Sequence, residues 1–104
     1  MAEHPLDTLA KIDPEIMQHL KVMEGFIYGE GALPSKIKLL IALAFDAAHG
    51  ATNGVRTLAA AAMKEGATAQ EIAETLRIAY HLSGVGALYT ASMGLKDVVV
   101  KGNT

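Results

Sequence analysis

The sequence contains no cysteine and no tryptophan, and aromatic residues make up only 5% of its 104 positions. The absence of cysteine excludes thiol catalysis, disulfide bonds, iron–sulfur clusters and zinc sites with cysteine ligands. Nine Lys and Arg against eleven Asp and Glu give a formal net charge of −2, so we expect no nucleic-acid or anionic membrane partner. Any chemistry must therefore come from His, Asp, Glu, Tyr, Lys or Arg.

Long hydrophobic runs are also missing. The longest run extends from Leu39 to Phe45 and stops at Asp46, whereas a membrane-spanning helix needs roughly 20 apolar residues. Residues 1–5 lack the cationic and apolar regions of a signal peptide. We therefore expect a cytoplasmic protein that makes no contact with a membrane.

Small residues are abundant instead, with 18 alanines and 10 glycines. A chain of this length is predicted to form a single domain over residues 1–104. Because alanine and glycine let helix backbones approach closely, this composition favours tightly packed helices.

Helix punctuation predicts an all-α bundle of about five to six helices. Asp13 followed by Pro14 is a helix start signal, within an N-terminal helical segment over residues 1–30. Apolar residues then recur at spacings of three and four, which predicts one buried helix face: Ile16, Leu20, Met23 and Ile27.

The residues from 33 to 100 carry further helix boundaries. Ser35 is predicted to cap a helix over residues 36–49, and Thr52 or Asn53 to cap a helix ending near Gly66. Thr68 and Glu71 form a capping box. Residues 83–86 are either a break or a close-packed kink before a helix over residues 87–99, and the tail over residues 101–104 should fray.

One predicted helix is apolar nearly all round, since Asp46 is the only polar side chain from Leu39 to Ala48. Such a helix needs cover on every side, and a small domain offers few neighbours. This helix is therefore either the centre of the monomer or partly covered by another subunit. We hypothesise a homo-oligomer.

The sequence resembles the carboxymuconolactone decarboxylase family, which shares its domain with the alkylhydroperoxidase AhpD proteins. The resemblance covers about Leu33 to Ala91 and is carried by these segments: the apolar run over residues 39–44, Ala62, Gly66-Ala67-Thr68, Glu71-Ile72, Glu74 and the run over residues 83–87. It implies an AhpD-like helical bundle that assembles as a trimer or hexamer.

The chain departs from the family pattern at the redox site. Counting back from Gly66, the two family cysteines fall on Ala51 and Gly54, and the redox-motif histidine falls on Leu58. The upstream glutamate of the family's proton relay falls on Leu39. Thiol peroxidase activity is therefore not expected, because it requires a thiolate and a resolving thiol.

Asp46 and His49 are the candidate catalytic residues. They lie three positions apart, and so on one helix face, where a carboxylate can orient an imidazole and raise its basicity. The alternative interpretation is structural, with His49 at the C-terminus of its helix, where positive charge is favoured, and Asp46 at an interface.

Arg77, His81 and Lys38 are candidate substrate-binding residues. Glu74, Arg77 and His81 share one helix stripe, which is either a pocket wall for a small anionic molecule or an ordinary solvated face. Tyr80, on the line of Ile72 and Leu76, is predicted to lie in the core.

Two functions therefore remain open. In the first, the protein is an enzyme that decarboxylates or isomerises a small organic acid or lactone by proton transfer. In the second, it is a non-catalytic binding or structural protein that keeps the scaffold without the site. The four histidines, at positions 4, 19, 49 and 81, fit no compact metal motif, and neither a metal nor another cofactor is predicted.

Overall fold

The structure is a computed structural model that describes residues 4–98, and within that range it contains helices and no strand. The predicted all-α fold is thereby confirmed. Residues 4–98 form six helices: α1 (Asp7–Ile12), α2 (Pro14–Tyr28), α3 (Ser35–Ala48), α4 (Thr52–Lys64), α5 (Ala69–Ser83) and α6 (Gly86–Leu95). No described helix is long and apolar enough to cross a membrane.

The core lies among α3, α4, α5 and α6, and it is built largely from small side chains. The largest fully buried side chains are Leu43, Ile72 and Val55, and alanines from all four helices fill the spaces between them. At Gly94 on α6, an added Cβ would lie 2.7 Å from both the Thr52 carbonyl oxygen and the Val55 Cβ on α4. The abundance of Ala and Gly thus produces close helix contacts.

Two helix starts form as predicted, because local side chains satisfy their backbone donors. Asp13 accepts a hydrogen bond from the Ile16 backbone N–H (3.1 Å), with Pro14 as the first residue of α2. At α5, Thr68 Oγ1 accepts from the Glu71 backbone N–H (3.1 Å), and Glu71 Oε1 accepts from the Thr68 backbone N–H (2.9 Å). These caps fix where α2 and α5 begin.

Two helix ends follow glycine geometry. Gly66 has φ +102°, and the Ala67 N–H donates to the Ala62 carbonyl (2.9 Å) beyond the last turn of α4, which is a Schellman ending. Gly84 has φ +103° and separates α5 from α6, so residues 83–86 form a break rather than a continuous kink.

The predicted side-chain caps of α3 and α4 and the predicted end of α6 are wrong. Pro34 precedes α3 and Ala51 precedes α4, and neither helix has a side-chain cap, so Ser35, Thr52 and Asn53 do not cap. The sixth helix ends at Leu95, earlier than predicted. Residue 99 and the tail over residues 101–104 lie outside the described residues.

The N-terminal helices stand apart from the core, and neither α1 nor α2 contains a buried residue. The prediction that Ile16, Leu20, Met23 and Ile27 form a buried face is therefore wrong within the single chain. Met23 and Ile27 are about half exposed, and Phe26 is 82% exposed. An amphipathic helix is present as the spacing predicts, but the core of this chain does not cover it.

Candidate functional site

Asp46 lies where the end of α3 passes the start of α4. The side chain is half-buried, and its carboxylate packs onto Gly54 in the first turns of α4. A Cβ added at Gly54 would overlap that carboxylate and lie 2.8 Å from Asp46 Cγ. Asp46 therefore fills the space that a side chain at position 54 would need.

His49 lies at the C-terminal end of α3 and is exposed. Its backbone N–H donates to the Phe45 carbonyl at 3.0 Å, and its ring centroid lies 6.2 Å from that of Phe45. Among residues 4–98 no hydrogen bond joins Asp46 to His49, although they are three residues apart. The carboxylate contacts α4, whereas the imidazole contacts Phe45.

Lys38 reaches towards α2 instead of a ligand pocket. Its Nζ donates to the Ile27 carbonyl oxygen at 2.8 Å and to the Gly29 carbonyl oxygen at 2.7 Å. These acceptors are at the C-terminal end of α2, where carbonyls lack helical partners and cations are favoured. Lys38 therefore anchors the end of α2 to the first turn of α3.

Arg77 and His81 are exposed on α5, and within the described part of the chain neither makes a side-chain hydrogen bond or an ion pair. Glu74, on the same stripe, is exposed and accepts a long hydrogen bond (3.5 Å) from Gln70. The structure thus places Arg77 and His81 on one surface, but it does not bring them to Asp46, His49 or Lys38. Tyr80 is 47% exposed, so its predicted core position is wrong, and its neighbour Ala79 is buried instead.

An apolar groove with a volume of about 440 Å³ lies between α3 and α5. Its α3 wall contains Ile37, Leu40, Ile41, Ala44, Phe45 and Ala48. Its α5 wall contains Thr75, Ile78, Ala79, Leu82 and Ser83. We refer to this feature as the α3–α5 groove.

The two hydroxyl groups in the α3–α5 groove are already hydrogen-bonded within their own helix. Thr75 Oγ1 donates to the Glu71 carbonyl (2.8 Å), and Ser83 Oγ donates to the Ala79 carbonyl (2.6 Å). No lining residue is titratable. The groove therefore offers an apolar binding surface and no acid or base. The groove could not be predicted from the sequence, although the apolar character of α3 indicated one of its walls.

An ion pair joins α3 and α5 close to the beginning of the groove. Lys36 directly precedes Ile37, the first groove residue of α3. Its Nζ lies 3.1 Å from Glu71 Oε2. The hydrogen bond from the Thr68 backbone N–H lowers the pKa of the Glu71 carboxyl below its ordinary value, and the hydrogen bond from the Lys36 ammonium lowers it further. Glu71 therefore serves two structural purposes, because it caps α5 and links that helix to α3.

The fold and this region together describe a class of protein: a small all-α domain with close alanine packing and no thiol at the junction of α3 and α4. The sequence profile of the Carboxymuconolactone decarboxylase family matches residues 14–95, and the chain belongs to that family. The match includes α2, which precedes the region of the resemblance seen in the sequence. Searches of curated proteins and of solved structures found no match to this chain.

Proposed function

We propose that this protein is a non-catalytic, self-associating binding protein built on the carboxymuconolactone decarboxylase scaffold. The observation that carries the proposal is the composition of the α3–α5 groove, which is apolar and is lined by no titratable side chain. Binding sites for apolar partners have this character, whereas catalytic pockets contain convergent polar groups.

The arrangement of the candidate catalytic residues supports the same proposal. General acid–base catalysis needs a proton-transferring group within hydrogen-bonding reach of the substrate, usually oriented by a second group. Asp46 packs on Gly54, His49 contacts Phe45, and Lys38 binds two backbone carbonyls. These side chains therefore do not converge on one cavity.

Thiol redox chemistry is not available to the chain. Reduction of a peroxide by a thiol requires one sulfur to attack the O–O bond and a second to resolve the product. The sequence has no cysteine, and Gly54, the position of the second family cysteine, is overlaid by Asp46.

The alternative function is proton transfer on a small organic acid or lactone, with Arg77 and His81 binding its carboxylate. One observation favours it: Asp46 is half-buried at the start of α4, the place where the family pattern positions a reactive group. If this alternative holds, replacing Asp46 or His49 will abolish turnover.

A decarboxylation assay separates the two functions. The purified 104-residue chain is incubated with carboxymuconolactone, and carbon dioxide release is followed for the wild type, Asp46→Asn, His49→Gln and the control Glu24→Gln, which is exposed on α2. We expect all four proteins to release carbon dioxide at the rate of buffer alone. Turnover by the wild type and Glu24→Gln that disappears in Asp46→Asn would contradict the proposal.

A further inference from the structure

Two apolar surfaces of the described chain are left without a partner. The first is the α3–α5 groove, in which Phe45 is 60% and Leu82 is 77% exposed. The second is one side of α2, and we call it the α2 face; it consists of Ile16, Leu20, Met23, Phe26 and Ile27. Contiguous apolar surfaces of this kind mark interaction sites in soluble proteins.

The two surfaces match in length. The α2 face extends from Ile16 to Ile27, and the α3 wall of the groove extends from Ile37 to Ala48. Each covers eleven helical steps, or about 17 Å at 1.5 Å per residue. A helix laid along the groove would therefore place its whole apolar face against the α3 wall.

The α2 helix is formed before it meets a partner. Asp13 caps its first turn, and Lys38 binds the carbonyls of Ile27 and Gly29 at its end. Because its ends are fixed, docking α2 costs little ordering entropy. In this arrangement α2 leaves the groove of its own chain uncovered, so the groove is open to the α2 of another copy.

The exposed area is large enough for a stable contact. At roughly 200 Å² for a large exposed apolar side chain, each surface presents on the order of 400 Å². One docked α2 would bury on the order of 800 Å², and reciprocal docking between two copies would bury on the order of 1,600 Å², the size of a standard stable interface.

We propose that the α2 face of one copy of this chain docks into the α3–α5 groove of a second copy. This inference rests on the proposed self-associating function and identifies the partner of the groove. Each copy donates one α2 and accepts another, which gives a closed pair when the docking is reciprocal and a ring when a head-to-tail rotation closes. The apolar positions of α2 are then buried in the assembly, as their spacing predicts.

Cross-linking between two singly substituted chains tests this contact, and the cysteine-free sequence gives no background. A Met23→Cys chain is mixed with an Ile78→Cys chain and treated with a short bis-maleimide. Both positions are at least half exposed in the single chain and lie near the middle of their surfaces, so the pair reports docking in either direction. The matched control replaces Ile78→Cys with Met93→Cys, which is equally exposed on α6.

We expect the 23–78 pair to give a cross-linked dimer at a yield several-fold above the 23–93 control. Equal yields for the two pairs would overturn the inference. A double Met23→Cys, Ile78→Cys chain that links within a monomer would also overturn it, because its own α2 would then cover the groove. Cross-linking reports only the contact between copies, whereas the decarboxylation assay reports catalysis. A failure of the proposed contact can therefore be distinguished from a failure of the proposed non-catalytic function.

Discussion

Replacing Gly94 by alanine tests the close packing of α6 on α4. An added Cβ would lie 2.7 Å from the Thr52 carbonyl oxygen and 2.7 Å from both Cβ and Cγ1 of Val55. The backbone oxygen cannot move without shifting α4. Val55 is fully buried, and its β-branched side chain has little rotamer freedom.

The expected magnitude is the difference between two opposing effects. Glycine to alanine in a helix interior stabilises by about 0.5–1 kcal/mol, whereas overpacking a well-filled core costs about 1–3 kcal/mol. We expect Gly94→Ala to lower the free energy of unfolding by about 1–2 kcal/mol. For a domain of this size that corresponds to a Tm lower by about 5–15 °C.

Gly25 on α2 provides a matched control, because a Cβ there would have no atom within 4 Å. Gly25→Ala should therefore stabilise by about 0.5–1 kcal/mol and raise the Tm. Thermal unfolding followed by far-UV circular dichroism compares the wild type with both variants. If Gly94→Ala raises the Tm as Gly25→Ala does, the proposed close contact between α4 and α6 is refuted.

Two further predictions concern the helix contacts around the site. Glu71→Gln should lower the Tm at neutral pH, because the lowered pKa of Glu71 means that its charge stabilises the folded state. That contribution is present above the pKa of Glu71 in the unfolded chain and is lost as the pH falls through its lower folded pKa, so the Tm difference from wild type should shrink as the pH falls. A Tm difference that does not change with pH would contradict the role of the Glu71 charge. In the wild type, Gly54→Ala should leave the free energy of unfolding nearly unchanged, because the gain in helix propensity is offset by the displacement of the Asp46 carboxylate. In an Asp46→Ala chain the same substitution should stabilise the fold by about 0.5–1 kcal/mol. Denaturant unfolding of the double-mutant cycle measures this coupling, and additive effects would show that Asp46 does not occupy the space beside Gly54.

Features set by neighbouring residues could be predicted from the sequence. Asp13 with Pro14, and Thr68 with Glu71, begin helices because their side chains bond to backbone groups three residues away. The ending at Gly66 is equally local. The all-α class followed from such signals and from the apolar spacing, whereas the family followed from the resemblance of residues 33–91.

Features that depend on contacts between distant segments could not be predicted. Lys38 looked like a carboxylate ligand, but the end of α2 provides two backbone acceptors for it. Asp46 and His49 lie three residues apart, yet Asp46 contacts Gly54 whereas His49 contacts Phe45. The α3–α5 groove arises from the separation of two helices, which no spacing within either helix encodes.

The molar mass in solution tests most directly whether this protein associates through α2 and the α3–α5 groove. Light scattering at low micromolar concentration is applied to the wild type, Phe26→Glu on the α2 face, Leu82→Glu in the groove, and the control Met93→Glu, which is 62% exposed on α6 outside both surfaces. We predict at least two copies of the 10.9 kDa chain for the wild type and Met93→Glu, and a monomer for Phe26→Glu and Leu82→Glu. A monomeric wild type, or an oligomer that survives both Phe26→Glu and Leu82→Glu, would contradict this account.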